Sequence, residues 1–210
     1  MTTGRCGSAL PLPAPSDDTE LRDAKKAFRA AARQRRAAYH QQYGAGAGER
    51  LRDIVLKAIP LPPGGVVSGY LPIDDELDPL PLLRAAIDRG HAACVPVVQG
   101  RGQPLVFRDW TPEAPLVEGV FGVSVPAPDA PERVPDLLFV PLLGFDRKGF
   151  RMGYGAGFYD RTLAGLRAQR QVVAVGVGYA GQEVTAVPVG LHDEALDWIV
   201  TDREAIRMAV

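Results

Sequence analysis

From residue 151 to residue 160 the chain reads Arg-Met-Gly-Tyr-Gly-Ala-Gly-Phe-Tyr-Asp, so Gly153, Gly155 and Gly157 alternate with larger residues. Glycine permits positive φ and lets a ligand come close to the main chain. The segment stands between an apolar run and a helical pattern. In open α/β sheets the ligand crevice forms at such a place, outside the carboxyl ends of the strands. The first amides of the next helix then face the crevice, and the helix dipole favours an anion there. Arg151 offers a two-pronged contact to phosphate oxygens, and Lys148 adds positive charge. The spacing fits neither the Walker pattern nor the dinucleotide fingerprint, so glycine content alone leaves a ligand-free tight turn on equal terms with a phosphate cradle. Tyr154, Phe158 and Tyr159 tilt the balance, because rings on a loop are costly to expose unless they stack or pack. Asp160 has two readings. As a magnesium ligand it would join substrate phosphates around the ion. As a complement to the helix dipole, paired with Arg161, it is worth about 0.3–1 kcal/mol, and on these residues alone that simpler reading is preferred.

These residues need elements to position them. Residues 1–20, with Pro11, Pro13 and Pro15, read as a disordered leader, and residues 21–210 as a single α/β domain. A helix is predicted from Asp18 or Thr19 to His40. Leu21, Ala24, Phe28 and Ala31 form its apolar stripe, with Lys25, Arg29, Arg33 and Arg36 as a basic stripe beside it. Such stripes are usually solvated. A second helix covers Glu49 to Ile59 and stops at Pro60. Strands are predicted at Val66–Leu71, Ala92–Val98, Leu105–Trp110, Leu137–Phe145, Val172–Tyr179 and Trp198–Val200. Helices are predicted around Leu80, Leu83 and Ile87, and from Phe158 to Gln169. Residues 111–135 read as a long loop with an extended piece at Val120–Val125, and such loops tend to be functional. Thr201 and Glu204 have capping-box spacing, which predicts a final helical turn. Alternating strands and helices point to an α/β fold with a largely parallel sheet.

Composition limits the partners. The chain has 210 residues and a formal net charge of −1, so it lacks the strongly basic face of a nucleic-acid or membrane binder. No apolar stretch reaches the length of a membrane span and no secretory pattern opens the chain, so a cytoplasmic setting is expected. Cys6 and Cys94 have no metal-ligand spacing, and Cys94 reads as a small buried apolar residue. Surface or hydrogen-bonding roles suit His91 and His192 better than acid–base catalysis. Ser68 and Ser124 lack a triad context.

Phe139 through Asp146, Gly149, Arg151 and Gly153 through Arg161 together resemble the 5-formyltetrahydrofolate cyclo-ligase family, also called methenyltetrahydrofolate synthetases. The likeness runs from about Lys25 to Val200 and is densest over Asp146–Arg161. Secondary blocks are Lys25 with Arg29, Tyr70–Glu76, Phe121–Pro126, and His192–Asp197 leading into Trp198–Thr201. The resemblance implies an ATP- and Mg2+-dependent conversion of 5-formyltetrahydrofolate to 5,10-methenyltetrahydrofolate, with ADP and phosphate released. It also implies a three-layer sandwich with a mostly parallel sheet, as in sugar-phosphate isomerases and CoA transferases. Carried onto this chain, Lys25 and Arg29 contact ATP. Arg151, Met152, Gly153, Tyr154, Gly155, Ala156, Gly157, Phe158 and Tyr159 hold its phosphates, with Arg151 catalytic. Leu71, Glu76, Phe121 and the loop from Tyr154 to Phe158 border the folate, and Asp160 and Asp197 bind magnesium. A carboxylate at Glu76 suits an amino-pyrimidinone, whose adjacent N–H donors match two acceptor oxygens. Ala156 and Phe158 stand where Gly or Lys and Tyr are frequent in the family, and Val125 where Glu or Gln is frequent. A tyrosine hydroxyl is therefore not required at position 158, nor a polar group at 125.

Two other classes fit parts of the pattern. A folate- or nucleotide-binding protein without turnover would lack a charged or metal-binding position, yet Arg151, Asp160 and Glu76 are all present. An unrelated α/β enzyme acting on a sugar phosphate or CoA ester follows from the fold alone, and a CoA transferase would need a nucleophilic carboxylate that nothing singles out. The features above need only one chain, so a monomer acting on small molecules is expected.

Overall fold

The structure, a computed structural model, describes residues 17–208. Cys6 and the expected leader lie outside that range, except that residues 17–20 already belong to the first helix. Helix α1 spans Asp17–Tyr43 and α2 Ala47–Ala58, followed by β1 Val66–Ser68, α3 Leu80–Ile87, β2 Ala92–Val98 and β3 Leu105–Asp109. The long loop of the sequence contains a hairpin, β4 Leu116–Glu118 with β5 Ser124–Pro126, and a short strand β6 Glu132–Arg133. Next come β7 Leu137–Pro141, then β8 Gly144–Phe145 and β9 Arg151–Met152, which pair as a small ribbon. Helix α4 Phe158–Arg167, β10 Val173–Val177, β11 Trp198–Val200 and β12 Ala205–Arg207 complete the chain.

Eight strands form one sheet in the order β12-β11-β10-β7-β1-β2-β3-β6. Its middle, from β11 to β2, is parallel, and β12, β3 and β6 add antiparallel edges. Strand β7 explains the layering. Side chains alternate between the faces of a strand, so a run that is apolar throughout must be covered twice. Leu137 and Phe139 pack with Leu51 and Val55 of α2 and Leu82 and Leu83 of α3, whereas Leu138 and Val140 pack with Leu163 of α4. The expected three-layer α/β sandwich with a mostly parallel sheet is therefore present.

Three local expectations change. The apolar run Leu137–Phe145 is not one strand: it leaves the sheet after Pro141, and the Leu143 amide donates to the Met152 carbonyl at 2.7 Å, which aims the glycine-rich loop back over the sheet. Thr201 Oγ1 accepts the Glu204 amide at 3.0 Å, as a helix cap would, but the segment is a hairpin turn. The Thr201 amide donates to the Glu204 carbonyl, and β12 returns antiparallel to β11 instead of forming a helical turn. Finally, the inner face of α1 includes Leu21, Lys25, Phe28, Arg29, Ala32, Arg36 and Tyr39, while Ala24 and Ala31 are exposed. Most of the basic stripe thus faces inward: Lys25 and Arg29 line a cavity, and Arg36 reaches Asp75.

Candidate active site

Loops at the carboxyl ends of the parallel strands enclose a cavity of about 670 Å3. Tyr70 and Leu71 after β1, Pro96 and Val98 of β2, and Pro141 at the end of β7 form its floor. Lys25 and Arg29 enter from α1, Val120, Val123 and Val125 from the β4–β5 hairpin, and Arg151 through Asp160 from the glycine-rich loop. Apolar walls with a few converging polar groups are what a small-molecule site requires.

The loop needs its glycines at two places. Gly157 is the N-cap of α4 at φ 68, with no side-chain cap, so the helix begins with uncapped amides. Gly155 sits at φ 105, and a Cβ there would lie 2.9 Å from the Arg29 guanidinium carbon. Arg29 Nε donates to the Gly153 carbonyl at 3.1 Å, which ties α1 to the loop. Burial and then the like charge of Arg33 lower the Arg29 pKa, so an anion placed here would relieve a disfavoured cation. Lys25 Nζ pairs with Asp193 at 2.5 Å, and both line the cavity.

Arg151 is buried. Its Nη2 donates to Asp160 Oδ1 at 2.7 Å and its Nη1 to the Glu194 carbonyl at 2.6 Å, while the Glu194 amide also donates to Asp160 Oδ1. Arg151, not Arg161, is therefore the partner of Asp160; Arg161 donates to the Ala156 carbonyl and lies 5.5 Å over the Phe158 ring. The Tyr159 hydroxyl is buried without a hydrogen-bond partner among the described residues, and burial pushes its pKa up. An unpaired buried donor beside a cavity calls for a ligand acceptor.

Glu76 forms the opposite polar wall. The chain turns at Asp74, whose φ of 53 lies in the left-handed region that Asp tolerates better than most residues. That turn brings Glu76 inward, where it is 6% exposed. Its Oε2 accepts the Ile73 amide at 2.9 Å and its Oε1 the Tyr154 hydroxyl at 2.6 Å. Burial raises the Glu76 pKa, although both hydrogen bonds and Arg36 oppose the rise.

The profile of the 5-formyltetrahydrofolate cyclo-ligase family matches residues 21–202. The chain belongs to that family. It is 33% identical over 151 residues to the 5-formyltetrahydrofolate cyclo-ligase of Mycolicibacterium smegmatis, covering 68% of this chain and 76% of that protein. To the Escherichia coli K12 cyclo-ligase it is 30% identical over 174 residues, covering 80% and 95% respectively. Among solved structures, the 5,10-methenyltetrahydrofolate synthetase of Aquifex aeolicus superposes with a TM-score of 0.72 at 25% identity, covering 89% of this chain and 93% of that one. Membership in the cyclo-ligase family makes the chain an enzyme of the ligase class and sets aside the sugar-phosphate and CoA readings. Among the described residues no helix is long and apolar enough to cross a membrane.

Of the positions the family likeness implies, Lys25, Arg29, Leu71, Glu76 and the whole stretch from Arg151 to Asp160 share the cavity. Phe121 lies in the 3-10 turn Val120–Gly122 of the hairpin, next to cavity-lining Val120. Asp197 is not brought to the cavity. It precedes β11, at the opposite end of the sheet, where Oδ2 accepts the Ala174 amide at 2.7 Å and Arg167 at 3.0 Å. Lys148 is also elsewhere, in the turn between β8 and β9, and neither His91 nor His192 lines the cavity. Two groups beside these are not among the positions the family likeness implies. Asp193 lies four residues before Asp197, with no periodicity to single it out. Arg36, 3% exposed, follows Arg29 by seven positions, two turns along the same helix face, and that spacing was the available signal.

Proposed function

We propose that the protein converts 5-formyltetrahydrofolate to 5,10-methenyltetrahydrofolate, consuming ATP and releasing ADP and phosphate. The observation that carries this reading is a shared wall. The loop whose glycines lie against Arg29 also sends Tyr154 to the buried carboxylate Glu76, so a phosphate cradle and a ring-reading acid border one cavity.

A formyl group on nitrogen is an amide, and its oxygen leaves poorly. In the proposed reaction that oxygen attacks the γ-phosphate, and the bond to ADP breaks. The neighbouring aniline nitrogen then closes on the activated carbon and gives up its proton. The carbon–oxygen bond breaks, so that phosphate departs with the former formyl oxygen and carries that proton as hydrogen phosphate. Such chemistry asks the protein chiefly for positioning and charge neutralisation. Lys25, Arg29 and the first amides of α4 would hold the triphosphate, with Arg151 setting the loop and Asp160 in place. Glu76 would accept the N–H donors of the pterin ring, with Leu71, Phe121 and Val125 as its apolar neighbours. The Tyr159 hydroxyl would donate to a substrate oxygen.

A magnesium ion fits the donors at hand. Asp160 and Asp193 are acids of the cavity wall, and the described residues contain no cluster of three or more His, Cys, Asp or Glu that would cage a metal. Magnesium suits such a place because it keeps waters and phosphates around one or two carboxylates. Asp160 and Asp193, rather than Asp197, would hold it, and it would neutralise charge on the phosphates. One chain supplies every group named, so the reading needs no partner subunit.

The test is to mix protein, Mg-ATP and 5-formyltetrahydrofolate and follow the near-ultraviolet absorbance of the methenyl product together with ADP. Both should appear, each dependent on folate. ADP release indifferent to folate would overturn the reading.

A further inference from the structure

Arg36 has no part in the chemistry above, yet it is a deeply buried cation on α1. Its Nε and Nη2 donate to Asp75 Oδ1 at 3.0 and 2.6 Å, and its Nη1 donates to the Tyr154 hydroxyl at 2.6 Å. The same Nη1 lies 3.6 Å from Glu76 Oε1. Tyr154 in turn donates to Glu76 Oε1, so its hydroxyl takes one bond from Arg36 and gives one to Glu76. The two Glu76 oxygens are thus held differently. Oε2 is bound by a main-chain amide of its own turn, whereas Oε1 is bound by a side chain from another loop. Tyr154 sits between Gly153 and Gly155, and the residue is 41% exposed. The loop backbone is held to α1 by Arg29, so the freedom of the donor on Oε1 lies in the exposed side of Tyr154 itself, which can turn its hydroxyl away from Glu76.

We propose that Tyr154 is an internal competitor for the pterin ring: its hydroxyl occupies Glu76 Oε1 in the free enzyme and gives that oxygen up when folate binds. Arg36 is the positioning residue of the arrangement. It holds the Glu76 charge in a buried site and keeps a contact for the hydroxyl when Glu76 is taken. The inference rests on Glu76 being the folate-reading acid. A hydroxyl on an ionised carboxylate is a charge-assisted bond, stronger than a neutral one, so its loss on folate binding subtracts directly from folate affinity. Tyr154→Phe keeps the ring, which lies 5.6 Å from Arg36 and 5.9 Å from Arg33, and removes the competing donor together with one acceptor of Arg36, whose Nη1 still has Glu76 Oε1 at 3.6 Å.

The experiment is a titration of 5-formyltetrahydrofolate without ATP on wild type, Tyr154→Phe, Glu76→Gln and the double variant, with thermal unfolding run on each. Tyr154→Phe should bind folate about tenfold more tightly, the loss of one bond to a charged group. The gain should vanish in the Glu76→Gln background, since the two residues act as a coupled pair. An unchanged or weaker Kd in Tyr154→Phe would overturn the proposal, as would a gain that persists without the Glu76 carboxylate. For Arg36, Arg36→Met should raise the folate KM while leaving the ATP KM in place, and Arg36→Lys should restore part of it. Equal losses in both substrates would instead mark Arg36 as merely structural. If wild type turns over folate but Tyr154→Phe is no tighter, this inference alone fails. If wild type shows no folate-dependent ADP release, the functional reading fails and this one with it.

Discussion

The two ends of the parallel sheet use the same residue types differently. At the amino ends, Asp136 accepts the Val66 amide at 2.8 Å and pairs with Arg170, and Asp197 accepts the Ala174 amide and pairs with Arg167. Each acid there pins one strand to its neighbour and is finished by an arginine. At the carboxyl ends, Asp160, Asp193 and Glu76 are also hydrogen-bonded, but their partners Arg151, Lys25 and Tyr154 line the cavity with them. Being paired therefore does not separate a structural acid from a functional one. What separates them is whether a ligand can reach the acid and its partner together.

The most severe break in this comparison is at Asp160. Asp160→Asn removes the charge while leaving an acceptor for Arg151, and kcat should fall by about a hundredfold to a thousandfold, the scale for losing a preorganised charge-stabilising group. Steady-state assays with circular dichroism as a folding control would measure it. A kcat near wild type would return Asp160 to the role of a helix-dipole complement. Glu76→Gln should come next, raising the folate KM by about ten- to a hundredfold with the ATP KM unchanged, because one charged acceptor is lost. Equal changes in both constants would deny Glu76 its place on the folate side.

The same carboxylate gives a pH test. Glu76 has a raised pKa, and its neutral form accepts the ring donors poorly, so affinity is present above that pKa and lost as pH falls through it. The midpoint of loss should lie above the ordinary glutamate value of about 4.3, and the limb should be absent in Glu76→Gln. Titrations from neutral to mildly acidic pH would show it. A midpoint at or below the ordinary value would mean that burial does not govern the site. At the other end of the sheet, Asp197→Asn should cost about 1–3 kcal/mol in denaturant unfolding and leave kcat nearly unchanged. A large loss of activity with unaltered stability would restore Asp197 to the metal.

The sequence makes some of this contrast plain and hides the rest for a physical reason. The parallel core is legible because β7 and β10 are apolar at nearly every position, and only strands covered on both faces can be so. The glycine-rich loop is legible because glycine at positive φ leaves a local mark. Asp193 and Asp197 cannot be told apart in the same way. Between them the chain runs from the cavity rim to the start of β11, and that path depends on Leu196 being buried beside Gly149, a contact between distant residues. The basic face of α1 is a similar case. Periodicity groups Lys25, Arg29, Arg33 and Arg36, but only the docking of the helix decides that Arg33 stays exposed while Arg36 is buried. Thr201 shows a third limit, since a hydroxyl accepting an amide three residues on serves a hairpin turn as well as a helix cap.

The central claim is that this one cavity binds ATP in order to activate a formyl oxygen. The direct measurement uses 5-formyltetrahydrofolate carrying oxygen-18 in its formyl group, with mass analysis of the phosphate released during turnover. The account predicts one labelled oxygen in each phosphate formed. Unlabelled phosphate accompanying full conversion to the methenyl product would contradict it.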